Sequence, residues 1–176
     1  MRELFLLDKK NYDPNGTVGK RPSVRGIIIR DGKIAMMHSL KYNYYKFPGG
    51  GIEQGETLEE TLIREVREES GLVVKTETIK EFGYVKRIEK GKLEDIFVQE
   101  NFYFLCDAEQ EVVSQDLDDY EEEERFTLEF VTVSHAVCVN ETADHFDKVN
   151  NTTFQGMIDR ENNVLKIIKE ELQLSE

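Results

Sequence analysis

Through the first forty residues, aliphatic side chains come in short runs broken by charges and turn formers. Residues 2–7 (RELFLL), 24–30 (VRGIIIR) and 33–38 (KIAMMH) read as strands, and Asp31-Gly32 between the last two is a two-residue hairpin signal. The chain is therefore expected to open as antiparallel sheet. An aromatic stretch at 42–47 (YNYYKF) is halted by Pro48, and Gly49, Gly50 and Gly51 give the backbone freedom for a tight loop. The period then lengthens: Leu58, Leu62 and Val66 recur at i, i+4, i+8, the stripe of a helix packed on a sheet. Thr57 with Glu60 forms a capping box and Gly71 a C-cap, which predicts a helix over about 57–70.

Residues 79–88 and 95–106 (DIFVQENFYFLC) are strand-like and flank a charged turn at Gly91, so they predict a second hairpin of a mixed sheet. Acids dominate 110–125, which reads as an exposed loop before a last strand at 127–133. Ile158, Val164, Leu165, Ile168 and Leu172 then predict a C-terminal amphipathic helix over about 156–173, preceded by the polar stretch 150–153. The whole is an α/β pattern.

At 176 residues, with no Pro/Gly/Ser-rich stretch to divide it, the chain is read as one domain over 1–176, with its core at about 21–168. There is no signal-peptide pattern and no 18-residue apolar run, so a soluble, cytoplasmic protein that does not enter membranes is expected. A net charge of −13 repels a nucleic-acid backbone and argues against a polymeric nucleic-acid partner. Cys106 and Cys138 lack metal-ligand spacing and read as two buried thiols. A homodimer through the N-terminal strand or the tail helix is compatible with this pattern.

The chemistry concentrates in residues 50–72 (GGIEQGETLEETLIREVREESGL), where Glu65, Glu68 and Glu69 share one side of the predicted helix. An acidic protein that handles phosphates needs a cationic bridge, and divalent ions held by carboxylates supply one. Magnesium keeps several waters, so two or three carboxylates plus substrate phosphates suit it, and a helix holds them in fixed geometry. The stretch resembles the Nudix box, G-x5-E-x7-R-E-U-x-E-E-x-G-U with U aliphatic. Gly50, Glu56, Arg64, Glu65, Val66, Glu68, Glu69, Gly71 and Leu72 meet its nine fixed positions.

That resemblance implies a Nudix-type α/β/α sandwich with a mixed sheet, and hydrolysis of a nucleoside diphosphate linked to another moiety. It implies Mg2+, with Mn2+ as a substitute, held by Glu65, Glu68, Glu69 and the carbonyl of Gly49. Glu68 and Glu69 would be the principal ligands and Glu65 a ligand or base. Glu56 and Arg64 would be a charge-assisted pair orienting the ligands, with Gly50 shaping the loop beside them. A further carboxylate from the loop before the last strand falls on Glu124, with Glu121 and Glu123 as competitors.

The plain alternatives stand beside this reading. Glu65, Glu68 and Glu69 alone would be a solvated helix face, as would the acids at 121–124. Tyr44, Tyr45 and Phe47 suit either a nucleobase or the core, and Tyr84 and Tyr103 share the ambiguity. His38, His135 and His145 are scattered and read as structural or exposed. Arg25, on the strand leading to the site, suits either a substrate phosphate or an ion pair. On substrate, ADP-ribose pyrophosphatases of the family carry a proline some fifteen residues after the box, whereas this chain has prolines only at 14, 22 and 48. Dinucleoside-polyphosphate hydrolases often place a tyrosine in that region, and Tyr84 falls slightly early for it. A MutT-like activity on nucleoside triphosphates stays open. The rival functions are a nucleotide sensor without turnover and an acidic calcium-binding protein, which would lack an EF-hand loop.

Overall fold

The computed structural model describes residues 1–143, 145, 148 and 151–174. Three groups of strands carry the fold. In the largest, β1 (Glu3–Asp8) pairs parallel with β8 (Lys80–Lys90), and β8 pairs antiparallel with β9 (Ile96–Leu105). The first part of β9 pairs parallel with β2 (Val18–Lys20), and its second part pairs parallel with β3 (Ser23–Ile27). The second group joins β4 (Ile29–Arg30), β5 (Lys33–Ser39), β6 (Tyr44–Lys46) and β11 (Phe126–Val131), all antiparallel about β5. A small antiparallel pair joins β7 (Leu72–Val74) to β10 (Ala108–Val112).

Helix α1 (Leu58–Ser70) covers one face, where Leu62 and Val66 pack with Val24, Ile28, Leu72 and Phe104. Gly26 allows the close approach, since a Cβ there would sit 2.8 Å from Val66. On the opposite face α3 (Val133–Thr142) and α4 (Thr152–Glu171) bury Val133, Ala136, Val164, Leu165 and Ile168 against Ile27, Ile34, Met36, Val85 and Tyr103. The result is an α/β/α sandwich. The apolar face of α4 is consumed inside this core. Among the described residues no helix is long and apolar enough to cross a membrane.

Local signals explain several elements. Thr57 accepts from Glu60 N while Glu60 accepts from Thr57 N, and Gly71 closes α1 at φ 72. Asp31 and Gly32 both take positive φ (50 and 74), the turn that a two-residue hairpin requires.

Five expectations need correcting. The opening is not an antiparallel sheet: β1, β2 and β3 all pair in parallel, and only β4–β5 is a hairpin. The run 24–30 is not one strand, because at Ile28 the chain passes from the sheet of β9 to that of β5; Cys106 N donates to Ile27 O and Ala35 N to Ile28 O. Residues 110–125 are largely exposed, as expected, but they are not all loop: only 113–118 lacks regular structure. They finish β10 and form the short helix α2 (Asp119–Glu124), whose Glu121 and Glu124 are drawn inward by Lys46 and Lys148. The last strand ends at Val131, after which Thr132 caps α3 by accepting from His135 N. The tail helix begins at Thr152, because Asn151 accepts from Thr153 N and Phe154 N; Asn150 lies outside the described residues.

The aromatics Tyr44, Tyr45 and Phe47 are core residues, buried to 4% exposure or less. Tyr103 is buried too, while Tyr84 is partly exposed and donates to Glu3. His145 is buried between the carbonyls of Tyr42 and Asn140, His38 contacts Glu129 and Asn43, and His135 is exposed. Of the cysteines only Cys106 is buried, and burial pushes its thiol up to about 12; Cys138 is exposed on α3. A thiol reagent is expected to modify the folded chain once, at Cys138, with Cys106 reacting only on unfolding. Rapid modification of both, or labelling of Cys106 first in a peptide map, would contradict that placement.

Candidate active site

The loop entering α1 is built on β3. Val24 N donates to Gly50 O (2.9 Å) and Gly26 N to Pro48 O (2.9 Å), which stitches the glycine run to the strand edge. Gly49 adopts φ 134, and a Cβ there would run into the Val24 carbonyl and lie 2.9 Å from Arg25 Cα. Gly49→Ala is expected to cost at least about 2 kcal/mol, read by urea unfolding; a variant as stable as the native chain would contradict the geometry. A Cβ on Gly50 would strike the Glu65 carboxylate instead. The loop is thus shaped to let Glu65 lie against it.

Arg64 organises the first half of the box. Its Nε and Nη2 donate to the two oxygens of Glu56 (2.6 and 2.8 Å), a bidentate pair, and Nη2 also donates to Gly51 O (3.2 Å). Arg64 holds Glu56 well below the usual carboxylate range, at about 2, helped by Glu53 N and the Thr61 hydroxyl and opposed by desolvation. The remaining arm, Nη1, donates to Glu65 (2.9 Å) and Glu68 (3.1 Å). One positive nitrogen therefore sits between these two carboxylates. Glu65 is mostly buried and burial raises its carboxyl; the side chain of Glu68 is about one-third exposed.

Glu69 points elsewhere. It is 3% exposed and accepts from Gly49 N (2.9 Å) and from Lys46 Nζ (3.0 Å). Lys46 Nζ also donates to Glu121 (2.9 Å), which in turn accepts from the Tyr120 hydroxyl (2.7 Å). One ammonium faces two buried carboxylates, so the two carboxyl groups titrate together. Burial pushes Glu69 up to about 8 against the pull of Lys46, while Glu69, Lys46 and Tyr120 outweigh desolvation and hold Glu121 down. Burial works to neutralise Lys46, but the charges around it keep it protonated.

The structure therefore brings Glu121, not Glu124, to the box glutamates. Glu124 lies across the cleft, accepting from Tyr44 OH (2.7 Å) and Lys148 (2.6 Å), and Glu123 is exposed beside Lys41. Sequence reasoning missed Lys46 altogether. Its only signal was a lone lysine in an aromatic run, at a strand position that turns out buried, with 5% exposure.

Among the described residues no group of three His, Cys, Asp or Glu side chains converges tightly enough to hold a metal ion. The donor chemistry nevertheless suits a hard dication: every candidate ligand is an oxygen, and Glu65 and Glu68 already flank a cation, the Arg64 guanidinium. Next to the box lies a cavity of about 270 Å3 lined by Arg25, Arg87, Lys148 and Arg160 among others, with Glu124 its only carboxylate among the described residues.

An α/β/α sandwich with a glutamate-bearing helix behind a glycine loop defines the class. The chain belongs to the NUDIX family, whose domain model matches residues 19–150. Over 61 residues it is 43% identical to an ADP-ribose pyrophosphatase of Methanocaldococcus jannaschii, covering 32% of this chain and 36% of that protein. Over 56 residues it is 45% identical to an RNA pyrophosphohydrolase of Acinetobacter baylyi, covering 31% and 34%. The matched segment spans about a third of the length of these curated relatives. In fold it is similar to the MutT protein of Bacillus halodurans, with TM-score 0.54, 21% identity, and 68% of this chain and 72% of that one covered. A NUDIX hydrolase from Nitrosomonas europaea also has TM-score 0.54, at 14% identity, with 80% and 87% covered.

Proposed function

We propose that the protein is a divalent-metal-dependent hydrolase that cleaves a nucleoside diphosphate linked to another moiety. The observation that carries the reading is the Arg64 guanidinium held between Glu65 and Glu68, behind a glycine loop whose Gly49 packs on Arg25, a residue that lines the arginine-rich cavity. Glu65 and Glu68 would hold Mg2+ or Mn2+ directly, and Glu69 with the carbonyl of Gly49 would join them once Glu69 gives up its contacts with Lys46 and Gly49 N. The ion when bound neutralises phosphate oxygens and makes water more acidic.

The protein's own groups supply the rest. Arg64, anchored by Glu56, holds Glu65 and Glu68 on one nitrogen and so keeps the two carboxylates together, with Glu65 against the loop at Gly50. Water attacks one phosphorus, the bridging P–O bond breaks, and a nucleoside monophosphate leaves along with the remaining phosphorylated moiety. The proton from that water goes to a carboxylate, a role we assign to Glu65, which lies against the box loop, with Glu124 on the cavity wall as the alternative. Lys46 keeps Glu69 and Glu121 buried side by side, which fixes Glu69 against Gly49 N.

The names of the relatives point to two kinds of substrate, a nucleotide derivative and RNA. With a net charge of −13 and small chambers beside the box, this chain suits a small nucleotide derivative. The test is a panel of nucleoside triphosphates, nucleotide sugars, ADP-ribose and dinucleoside polyphosphates with magnesium, following release of nucleoside monophosphate or phosphate. Turnover of one class is expected. Binding of a nucleotide with no turnover of any panel member would favour the sensor over the hydrolase.

A further inference from the structure

The sheet face beneath α4 changes character along its length. At one end Ile27, Val85 and Tyr103 meet Val164, Leu165 and Ile168 in the core. Toward the other end the face becomes polar. Arg25 is in register with Tyr103, Ser23 with Asn101, and Arg87 with Gln99, so these side chains line one surface. Arg160 of α4 comes down onto it, its Nη1 donating to Asn101 (2.6 Å) and Gln99 (3.4 Å). Its Nε donates to Glu161 (3.0 Å), and Nη2 also reaches that carboxylate. Arg160 is thereby committed to the protein.

Arg25 and Arg87 are not so committed. Nε and Nη1 of Arg25 and Nε of Arg87 are buried with no hydrogen-bond partner among the described residues. Arg87 is 4% exposed; its Nη1 donates to Thr153 O at 3.3 Å, and its Nη2 lies 3.6 Å from Glu89. Leaving charged donors buried without acceptors is costly, and folded chains rarely leave it uncompensated. Three guanidiniums also crowd one another: burial first, then Arg160, lowers Arg87 to about 10 despite Glu89, and Arg25 adds to the effect. Arg25 and Arg87, each with at least one unpartnered guanidinium nitrogen among the described residues, line the 270 Å3 cavity. That volume has ample room for a phosphate group, and its cationic lining is what favours one.

The cavity has neighbours on two sides. Arg25 Cα lies where a Cβ on Gly49 would be 2.9 Å away, so the cavity begins beside the box loop. At its far side, Arg87, Gln99 and Thr153 also line a second chamber of about 490 Å3, walled by Lys20, Lys90 and Phe97. A planar guanidinium fork matches a tetrahedral phosphate with paired hydrogen bonds.

We propose that Arg25 and Arg87 form a phosphate-binding subsite that holds a group of the substrate's phosphate chain away from the bond being cleaved. The substrate class is then a nucleotide carrying at least one phosphate beyond the scissile link, with its second moiety reaching toward the 490 Å3 chamber. This rests on reading the box as a site for phosphate chains, but its test needs no turnover.

The experiment is calorimetric titration of the full chain with inorganic tripolyphosphate in the presence of EDTA. Native protein is expected to bind, Arg25→Gln and Arg87→Gln each about tenfold more weakly, and Glu68→Gln no more weakly than native. Absence of binding by the native chain, or native affinity in both arginine variants, overturns the proposal. Because Arg87 is buried, Arg87→Gln is paired with a measurement that needs no variant: the Nε–H resonances of two arginines should shift on adding tripolyphosphate to native protein. No shift overturns it as well. If tripolyphosphate binds in this way while the nucleotide panel is not turned over, the hydrolase reading falls and the subsite stands. If the panel is turned over but neither arginine affects binding, the reverse holds.

Discussion

Glu68→Gln is expected to lose turnover by roughly a hundredfold or more while the protein stays folded. The size follows from charge: one carboxylate at a metal site contributes several kcal/mol to the transition state, and each 1.36 kcal/mol is tenfold in rate. The fold should survive because Glu68 is about one-third exposed and its only described partner is one arm of Arg64, which Glu65 also receives. Gln keeps the shape and one oxygen, so loss of activity isolates the charge. Circular dichroism and urea unfolding should match native, while kcat collapses. Native turnover in Glu68→Gln would remove this residue from the mechanism.

Lys46→Met should have the largest effect on stability, a loss of about 3–5 kcal/mol. The substitution keeps the unbranched stem but removes the one ammonium that faces Glu69 and Glu121. All three side chains are 7% exposed or less, so no solvent replaces the lost charge. Urea unfolding should show the midpoint falling by at least roughly 1 M. Adding Glu121→Gln to Lys46→Met should recover part of the loss, because it removes one of the stranded carboxylates. A loss below 1 kcal/mol in the single variant would mean that Lys46 does not hold this cluster together.

How much of this was legible in the sequence depends on whether the signal was local. Helix α1 was readable to within a residue, because Thr57, Glu60 and Gly71 act on their own backbone neighbours. The hairpin at Asp31-Gly32 was readable for the same reason. Parallel pairing of β1, β2 and β3 was not, since a strand's alternation says nothing of its partner's direction. Helix α3 was hidden by valines at 133, 137 and 139, which favour strands until packing on α4 decides otherwise. Within the site, the spacing of the box told which carboxylates lie on the helix, but not which way each one turns. The inward turn of Glu69 depends on Lys46, twenty-three positions away, and on Glu121 from a segment that reads as solvated acid. The basic cavity was likewise invisible in a chain of net charge −13, because Arg25, Arg87 and Arg160 meet only through register and the docking of α4.

The most direct test of the central claim takes whichever nucleotide the panel selects and follows its hydrolysis through chelation and add-back. The account predicts turnover by native protein with magnesium, its disappearance on adding EDTA, and its return with excess Mg2+ or Mn2+ but not in Glu68→Gln. Hydrolysis that continues undiminished in EDTA, or a folded, magnesium-supplied native chain that turns over none of the panel, would contradict it.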